Sequence, residues 1–598
     1  MGFINPSPPP VPPAEFLRLP LQERMRILTT HWVEDGFGTP RVLHVVYVLK
    51  MLGLYLAGGV FIASLTSDIA FTDVSSWWDN TVVYQKLAVW LMLLEVIGLG
   101  GAWGPLCGHF KPMTGNIRYW VRPGTIRMAP WAGKVPGTDG DTRTGLDVAL
   151  YLAVLASLCL PLAVQAEDVA GYADQQLIPG WTFLPVLLLM PLLGLRDKVI
   201  FLSARSEQYL PIMLYSLLLS GSYVDLVIAF KIVIVCVWLG AGVSKLGSHF
   251  VNVVPPMVSN SPFVPGGDRL KRAHYRDPAN GDLRPSRLSW SLAHVGGTTV
   301  EILLPLVLLL TTNATIAALA AAGMLVFHLF ITSTFPLAVP LEWNIFFGFA
   351  AIHLWIGKDP GEFALGDFSE PWALVPIFAL AFFFPVLGNL RPDLVSFLPS
   401  MRQYAGNWAS GVWAMRPGVE ERLNELPGVA NQLDQLQQMV MPYERDEAEI
   451  TLQKALAWRS MHSQGRGLFS VLHTHLDDLE ERTVREGEFV ANTLVGWNFG
   501  DGHLHDERLV AAVQKRLGLA PGDLVVAYAE SSRIFSRTQE YRVIDAALGI
   551  VERGTWVIDE CCAEQPWLPN GPVGLTVTWT ADGFERQQTL TRGREQIA

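Results

Sequence analysis

Ionisable side chains inside apolar runs are costly to hold in hydrocarbon, so they are the first candidates for chemistry. Here they are Glu95, Lys231, Lys245, His294, Glu301, His328 and His353. Lys245 sits at the end of the apolar run in the stretch VWLGAGVSKLGSHF, residues 237–250, between Ser244 and Leu246. Apolar walls disfavour the charged form of an amine, and a neutral amine can take a proton from a substrate. The alternative is an interfacial anchor whose charge snorkels to water. Lys231 lies fourteen residues earlier, nearly four helical turns, and so shares the face of Lys245. Gly240 and Gly242 invite close approach to that face.

Two further patterns supply partners. In HVGGTTVEILLP, His294 and Glu301 are seven residues apart, two turns of an α-helix, so one face is expected to carry both. The alternative there is a packing notch at Gly296 and Gly297. In VFHLFITSTFPLAVPLEWNIFF, His328 sits inside an apolar run with Thr332 one turn on. It reads either as acid–base chemistry or as a buried imidazole bonded to a hydroxyl or carbonyl. Lys245, His294, Glu301 and His328 are thus the candidate catalytic set. Near the C-terminus, GWNFGDGHLHDE groups Asp501, His503, His505 and Asp506. These are metal-ligand types, but their spacing matches no closed zinc signature. Asp506 also reads as the cap of a helix ERLVAAVQKRL, and no metal site is expected. No glycine-rich phosphate loop is present either.

The elements that must position these groups follow from composition. Half of the 598 residues are hydrophobic and 17% are charged, against about a quarter in soluble domains. The apolar residues come in blocks of about 20, the length that crosses a bilayer. Runs at roughly 43–65, 86–104, 146–165, 181–195, 209–221, 224–244, 290–311, 316–335, 343–357 and 371–388 predict about ten spans. Loops 105–145, 196–208 and 247–289 are basic, whereas 66–85, 166–180 and 358–370 are acidic. That alternation predicts a multi-pass protein of the cell membrane with both termini in the cytoplasm. The start of the chain, MGFINPSPPPVPPAEF, lacks the basic and apolar segments of a secretory signal. Cys107, Cys159 and Cys236 lie in or beside apolar runs and, with the adjacent Cys561 and Cys562, make no disulfide framework. The net charge of −11 gives no sign of nucleic-acid binding.

The expected fold is mainly α: a polytopic helical membrane bundle with a C-terminal soluble α+β domain. Residues 1–40 form a proline-rich segment and an interfacial helix, 41–395 the transmembrane domain, and 396–598 the soluble domain. In the last, GDLVVAYAE reads as a strand, YRVIDAALGIVERGTWVID leans to strands, and GLTVTWTADGFERQQTL carries a hairpin signal at Asp582-Gly583.

Taken in order, the three membrane patterns resemble the vitamin K-dependent gamma-glutamyl carboxylases and their bacterial relatives, the horizontally transferred transmembrane (HTTM) proteins. WLGAGVSKLGSHF is similar to their lysine segment, HVGGTTVEILLP to their His-Gly-Gly-Gly…Asp helix, and FHLFITSTFPLAVPLEWNIFF to the helix that follows. QYAGNWASGVWAM, residues 403–415, resembles an Asn-Trp segment beyond the last span. The likeness covers about residues 200–415. It implies that Lys245 matches the base that activates a reduced quinone, with a membrane quinol as cofactor. Ser244 stands where the family has the first lysine of a pair, and the acidic-aromatic turn after it is GSHF here. Residues 416–598 do not resemble the carboxylases' lumenal domain, and the charge pattern places Lys245 at the cytoplasmic end of its span where theirs faces the lumen. What carries over is a quinol- or lipid-binding cleft with a basic residue. Over its whole length the chain also resembles an uncharacterised family of actinobacterial-type membrane proteins.

Three functions follow. The first is a membrane enzyme on a lipophilic substrate, with Lys245 as base and His294, Glu301 and His328 lining the cleft. The second is a non-catalytic scaffold or lipid-handling accessory, with membrane lipid in its spans and a protein partner on its cytoplasmic domain. The third, a transporter, lacks the inverted repeat and broken helices expected of one.

Overall fold

The computed structural model describes residues 2–99, 117–334, 341–395, 402–429, 431–437, 443–497 and 502–584. Cys107 and Asp501 lie outside the described residues, as does the second arm of the hairpin expected at Asp582-Gly583. The principal helices, in chain order, are α1 (Leu21–Asp35), α2 (Arg41–Ser64), α3 (Thr81–Ile97), α4 (Gly145–Ala163), α5 (Leu184–Arg196), α6 (Ser206–Leu218), α7 (Tyr223–Ser244), α8 (Arg287–Leu310), α9 (Ala314–Thr334), α10 (Leu341–Trp355), α11 (Leu374–Leu390), α12 (Arg445–Met461) and α13 (Ser463–His475).

Among the described residues, α2, α4, α7, α8, α9 and the segment Pro371–Leu390 are long and apolar enough to cross a membrane. The count of about ten is not reached on that criterion. The run at 86–104 is the 17-residue α3, that at 209–221 the 13-residue α6, and that at 343–357 the 15-residue α10. The run at 181–195 falls in the short apolar segment Gly180–Arg196, with Pro179 just before it and Asp197 just after. α3 is also buried along nearly its whole length, so it serves as an internal strut.

Polar connections gather at the two ends of this bundle. At one end the acidic loops interlock. Asn80 donates to the Asp174 carbonyl at 2.8 Å, and Lys358 donates to the Asp79 carbonyl at 2.6 Å and to Gln175 Oε1 at 2.7 Å. At the other end the basic loops dock on the C-terminal region. Trp120 donates to the Val495 carbonyl at 3.1 Å, Lys198 to the His503 carbonyl at 2.7 Å, and the Leu283 N–H to Gln565 at 3.1 Å. The division into acidic and basic loops is therefore a division in space.

The C-terminal region is built on one antiparallel sheet of β1 (Ser410–Met415), β2 (Thr483–Glu486), β3 (Leu524–Ala529), β4 (Thr538–Asp545), β5 (Gly549–Val557) and β6 (Leu575–Thr580), in the order β6-β5-β4-β3-β1-β2. β1 lies between β3 and β2, with Trp413 opposite both Val526 and Arg485. Every residue of β1 is buried, because alternate side chains enter two different cores. Val412 and Ala414 join α1, α12 and α13, whereas Trp413 and Met415 join the core that runs on into the membrane bundle. The segment QYAGNWASGVWAM thus ends in a central strand that ties sheet to bundle.

The helix expected to be interfacial, α1, buries its apolar face against this C-terminal region. Trp32 lies 5.6 Å from the Trp458 ring and donates its indole N–H to the Pro256 carbonyl at 3.0 Å. A buried polar seam completes the joint. His249 Nδ1 lies 2.7 Å from Ser463 Oγ and its Nε2 3.4 Å from Ser532 Oγ, while Asn407 donates to the Ser532 carbonyl at 2.9 Å.

Burial pushes the His249 imidazole down to about 4, because desolvation disfavours the cation. Its stabilisation is therefore complete above the unfolded value of about 6.5 and is lost as pH falls toward 4, an effect on the order of 3 kcal/mol. In thermal melts of detergent-solubilised protein from pH 7 to pH 4, His249→Gln is expected to flatten part of the acid loss seen in the wild type. Parallel curves would show that His249 does not titrate at the seam.

Candidate functional site

Lys245 is held by the end of α7, where the last helical turn hands over to the loop GSHF. Glu301 lies within α8. The two helices come together at Gly242: a Cβ there would meet the side chain of Ile302 at 2.8 Å and the Glu301 carbonyl carbon at 3.1 Å. With hydrogen in that place, α8 lies against α7 and the Glu301 carboxylate reaches the Lys245 ammonium as a buried ion pair. The remaining faces of the ammonium meet aromatic rings, Phe250 at 5.4 Å and Phe327 at 5.5 Å, a favourable cation–π arrangement. Gly297 is the second close approach, since a Cβ there would lie 3.0 Å from the Phe250 ring.

The pair borders a cleft with about 840 Å³ of space free of protein atoms, its open mouth included. Its walls are mostly aromatic and aliphatic, drawn from α7, α8, α9, α10 and the segment after Lys245; Ala241, Leu292, Phe327, Ile331 and Phe347 are representative.

His328 also lines this cleft, but both its ring nitrogens are engaged. The Trp238 indole N–H donates to Nε2 at 2.9 Å, and Nδ1 lies 2.9 Å from Asn344 Oδ1. An indole N–H can only donate, so Nε2 must be the acceptor and Nδ1 carries the proton that Asn344 accepts. His328 is a neutral imidazole in a fixed tautomer, and its role in this arrangement is to lock α7, α9 and α10 together.

His294 is not among the residues lining the cleft; it is half-buried and packs at a tilt against Trp290, with ring centres 4.7 Å apart and planes 58° apart. The expectation that His294 and Glu301 share a face assumed α-helical turns. Residues Leu292–Thr299 are instead a π-helix, whose i→i+5 bonding widens each turn, so seven residues no longer make two turns. The wide turn shows in Thr299 Oγ1, which donates to the His294 carbonyl at 2.6 Å.

The other candidates lie apart from this cleft. Lys231 donates to the Phe363 carbonyl at 2.9 Å on the side of the acidic loops, well along α7 from Lys245. Glu95 accepts from Tyr55 Oη at 2.6 Å and pairs with Arg205, which also pairs with Glu342 at 3.0 Å. His353 stacks between Tyr84 and Phe349. Asp506 caps the helix Glu507–Leu517 through the Arg508 N–H at 2.9 Å, and His503 lies 3.0 Å from Glu530. Among the described residues no three of His, Cys, Asp and Glu converge as a metal set. Sequence reading missed Trp238, Asn344, Phe250 and Glu342. Asn344 and Glu342 left a signal, being polar residues inside the apolar run LEWNIFF.

The chain belongs to a family of transmembrane proteins of unknown function, DUF3556, which it matches over residues 1–578. No curated protein and no solved structure matches it. The likeness of residues 200–415 to the carboxylases and HTTM proteins therefore stands on the quoted motifs alone.

Removing one member of a buried ion pair strands the other, at a cost of about 3–5 kcal/mol. Glu301→Gln is thus expected to lower the melting temperature sharply, whereas Lys245→Met with Glu301→Leu recovers most of the loss. Gly242→Val, which forces α8 away, should resemble the single variant. Melts in detergent read all three, and a silent Glu301→Gln would mean that the pair does not form.

Proposed function

We propose that this membrane protein takes a lipophilic molecule from the bilayer into the cleft and exchanges a proton with it at the Lys245–Glu301 pair. The observation that carries the reading is the placement of that pair at the edge of an otherwise apolar cleft. A ligand hydroxyl reaching the pair meets a carboxylate able to accept its proton and an ammonium able to stabilise the oxyanion left behind. The base is then Glu301, and Lys245, first read as the base, is its electrostatic partner. A quinol or a hydroxyl-bearing lipid fits this chemistry. His328 shapes the cleft and His294 takes no part.

The topology that goes with this reading has the four shorter helices crossing with the six long ones. The interlocked acidic loops would lie outside, and the basic loops, both termini and the C-terminal region in the cytoplasm. The positive-inside tendency supports that orientation.

A second reading, a non-catalytic lipid-handling protein with a protein partner on its C-terminal region, draws on two observations: the Lys245 amine is already paired, and both His328 nitrogens are occupied.

Mass spectrometry of lipids extracted from protein purified in mild detergent tests the proposal. Wild type is expected to carry one class of lipophile that Ala241→Phe, which fills the cleft, excludes. If the pair does chemistry, Glu301→Gln accumulates a form of that lipophile different from the one found on wild type. The same form on both proteins would favour the second reading, and an equal phospholipid background on wild type and Ala241→Phe would remove the cleft from the account.

A further inference from the structure

Beside the apolar cleft, toward the C-terminal region, lies a second cavity of different character. Its lining includes Ser248, Asn252, Arg276, Ser286, Arg287 and Trp290, with no acidic side chain, and it encloses about 1120 Å³ of space including its open mouth. The two cavities share their walls. In the segment after Lys245, Ser248, Val251 and Asn252 face the polar cavity while Phe250 and Val254 face the cleft. At the start of α8, Ser286, Arg287 and Trp290 face the polar cavity while Leu292, Gly296 and Gly297 face the cleft.

The arginines here differ from their neighbours. Arg272 is paired with Glu34 and Arg284 with Asp282. Among the described residues Arg276 and Arg287 form no ion pair, and Arg276 spends only its Nε, on the Pro285 carbonyl at 3.3 Å. Two guanidinium groups without carboxylates, the Ser248 hydroxyl and the Trp290 indole, on segments that also wall the apolar cleft, make a phosphate-binding chemistry; the Ser286 hydroxyl is spent on the Ala273 carbonyl at 2.6 Å.

We propose that the polar cavity is the headgroup subsite for a phosphate-bearing lipid whose acyl or prenyl chain lies in the cleft. This rests on the reading of the cleft as a lipophile site and narrows it: a quinol head carries no charge for the two arginines, and a phosphate does.

The test uses the full-length protein in mild detergent and native mass spectrometry with three probes: short-chain phosphatidic acid, the diacylglycerol with the same chains, and inorganic phosphate. Arg276 and Arg287 are exposed, so Arg276→Gln with Arg287→Gln should leave the fold intact, which a thermal melt checks. Phosphatidic acid is expected to bind wild type at least tenfold more tightly than diacylglycerol and to lose that advantage in the double variant. Ala241→Phe should weaken both lipids. Equal binding of the two lipids to wild type, with both sensitive to Ala241→Phe, would overturn the headgroup subsite and leave the cleft reading standing. Binding of neither lipid would overturn both. Inorganic phosphate bound as tightly as phosphatidic acid, and lost with the arginines, would make the cavity a free-phosphate site and overturn the lipid assignment.

Discussion

One buried ion pair organises the membrane half of this protein. An ammonium and a carboxylate cannot each be held alone among Phe250, Phe327 and Ile302; together they can, provided two helices approach closely enough. Gly242 permits that approach, Gly297 seats the aromatic ring that covers the amine, and the π-helical turn of α8 sets which residues face α7. The cleft is the space left beside this arrangement, shaped by the Trp238–His328–Asn344 chain on its far wall.

The same economy of polar groups joins the bundle to the C-terminal sheet. β1 contributes alternate side chains to two cores, so the sheet is a structural extension of the bundle rather than a tethered module. α1 closes the joint from the other side, and His249, four residues after Lys245, reaches Ser463 across the seam. The segment that positions the amine therefore also contacts the C-terminal region.

Much of this was legible in the sequence, for physical reasons that differ by element. Lys245, Glu301 and His328 stood out because charge and imidazole in apolar runs are rare, and the structure brings all three to one cleft. The glycines announced close approach, and Gly242 makes it. The strands of GDLVVAYAE and of YRVIDAALGIVERGTWVID were readable from their β-branched and aromatic content. His294 was misplaced because a π-helix leaves no mark in residue spacing, and a seven-residue interval means one face only if every turn is α-helical. Six of the expected spans meet the length and composition needed to cross a membrane; the other four runs form shorter helices, and hydropathy does not distinguish a helix facing lipid from one such as α3, buried among its neighbours. The packing of α1 on α12 was hidden because an amphipathic helix reads the same whether its apolar face meets a membrane or a protein. The tautomer of His328 depended on Trp238 and Asn344, which come from other helices and which no local pattern links to it.

The most direct test of the central claim, that the cleft beside Lys245 and Glu301 admits a molecule from the bilayer, is photo-crosslinking in membranes. Cells would be fed a diazirine-bearing fatty acid, the membranes illuminated, and the adducts mapped by peptide mass spectrometry. The account predicts adducts on cleft residues such as Ala241, Leu292 and Ile331. Adducts confined to the outward-facing Val295, Leu303, Val326 and Leu329, with none in the cleft, would contradict it.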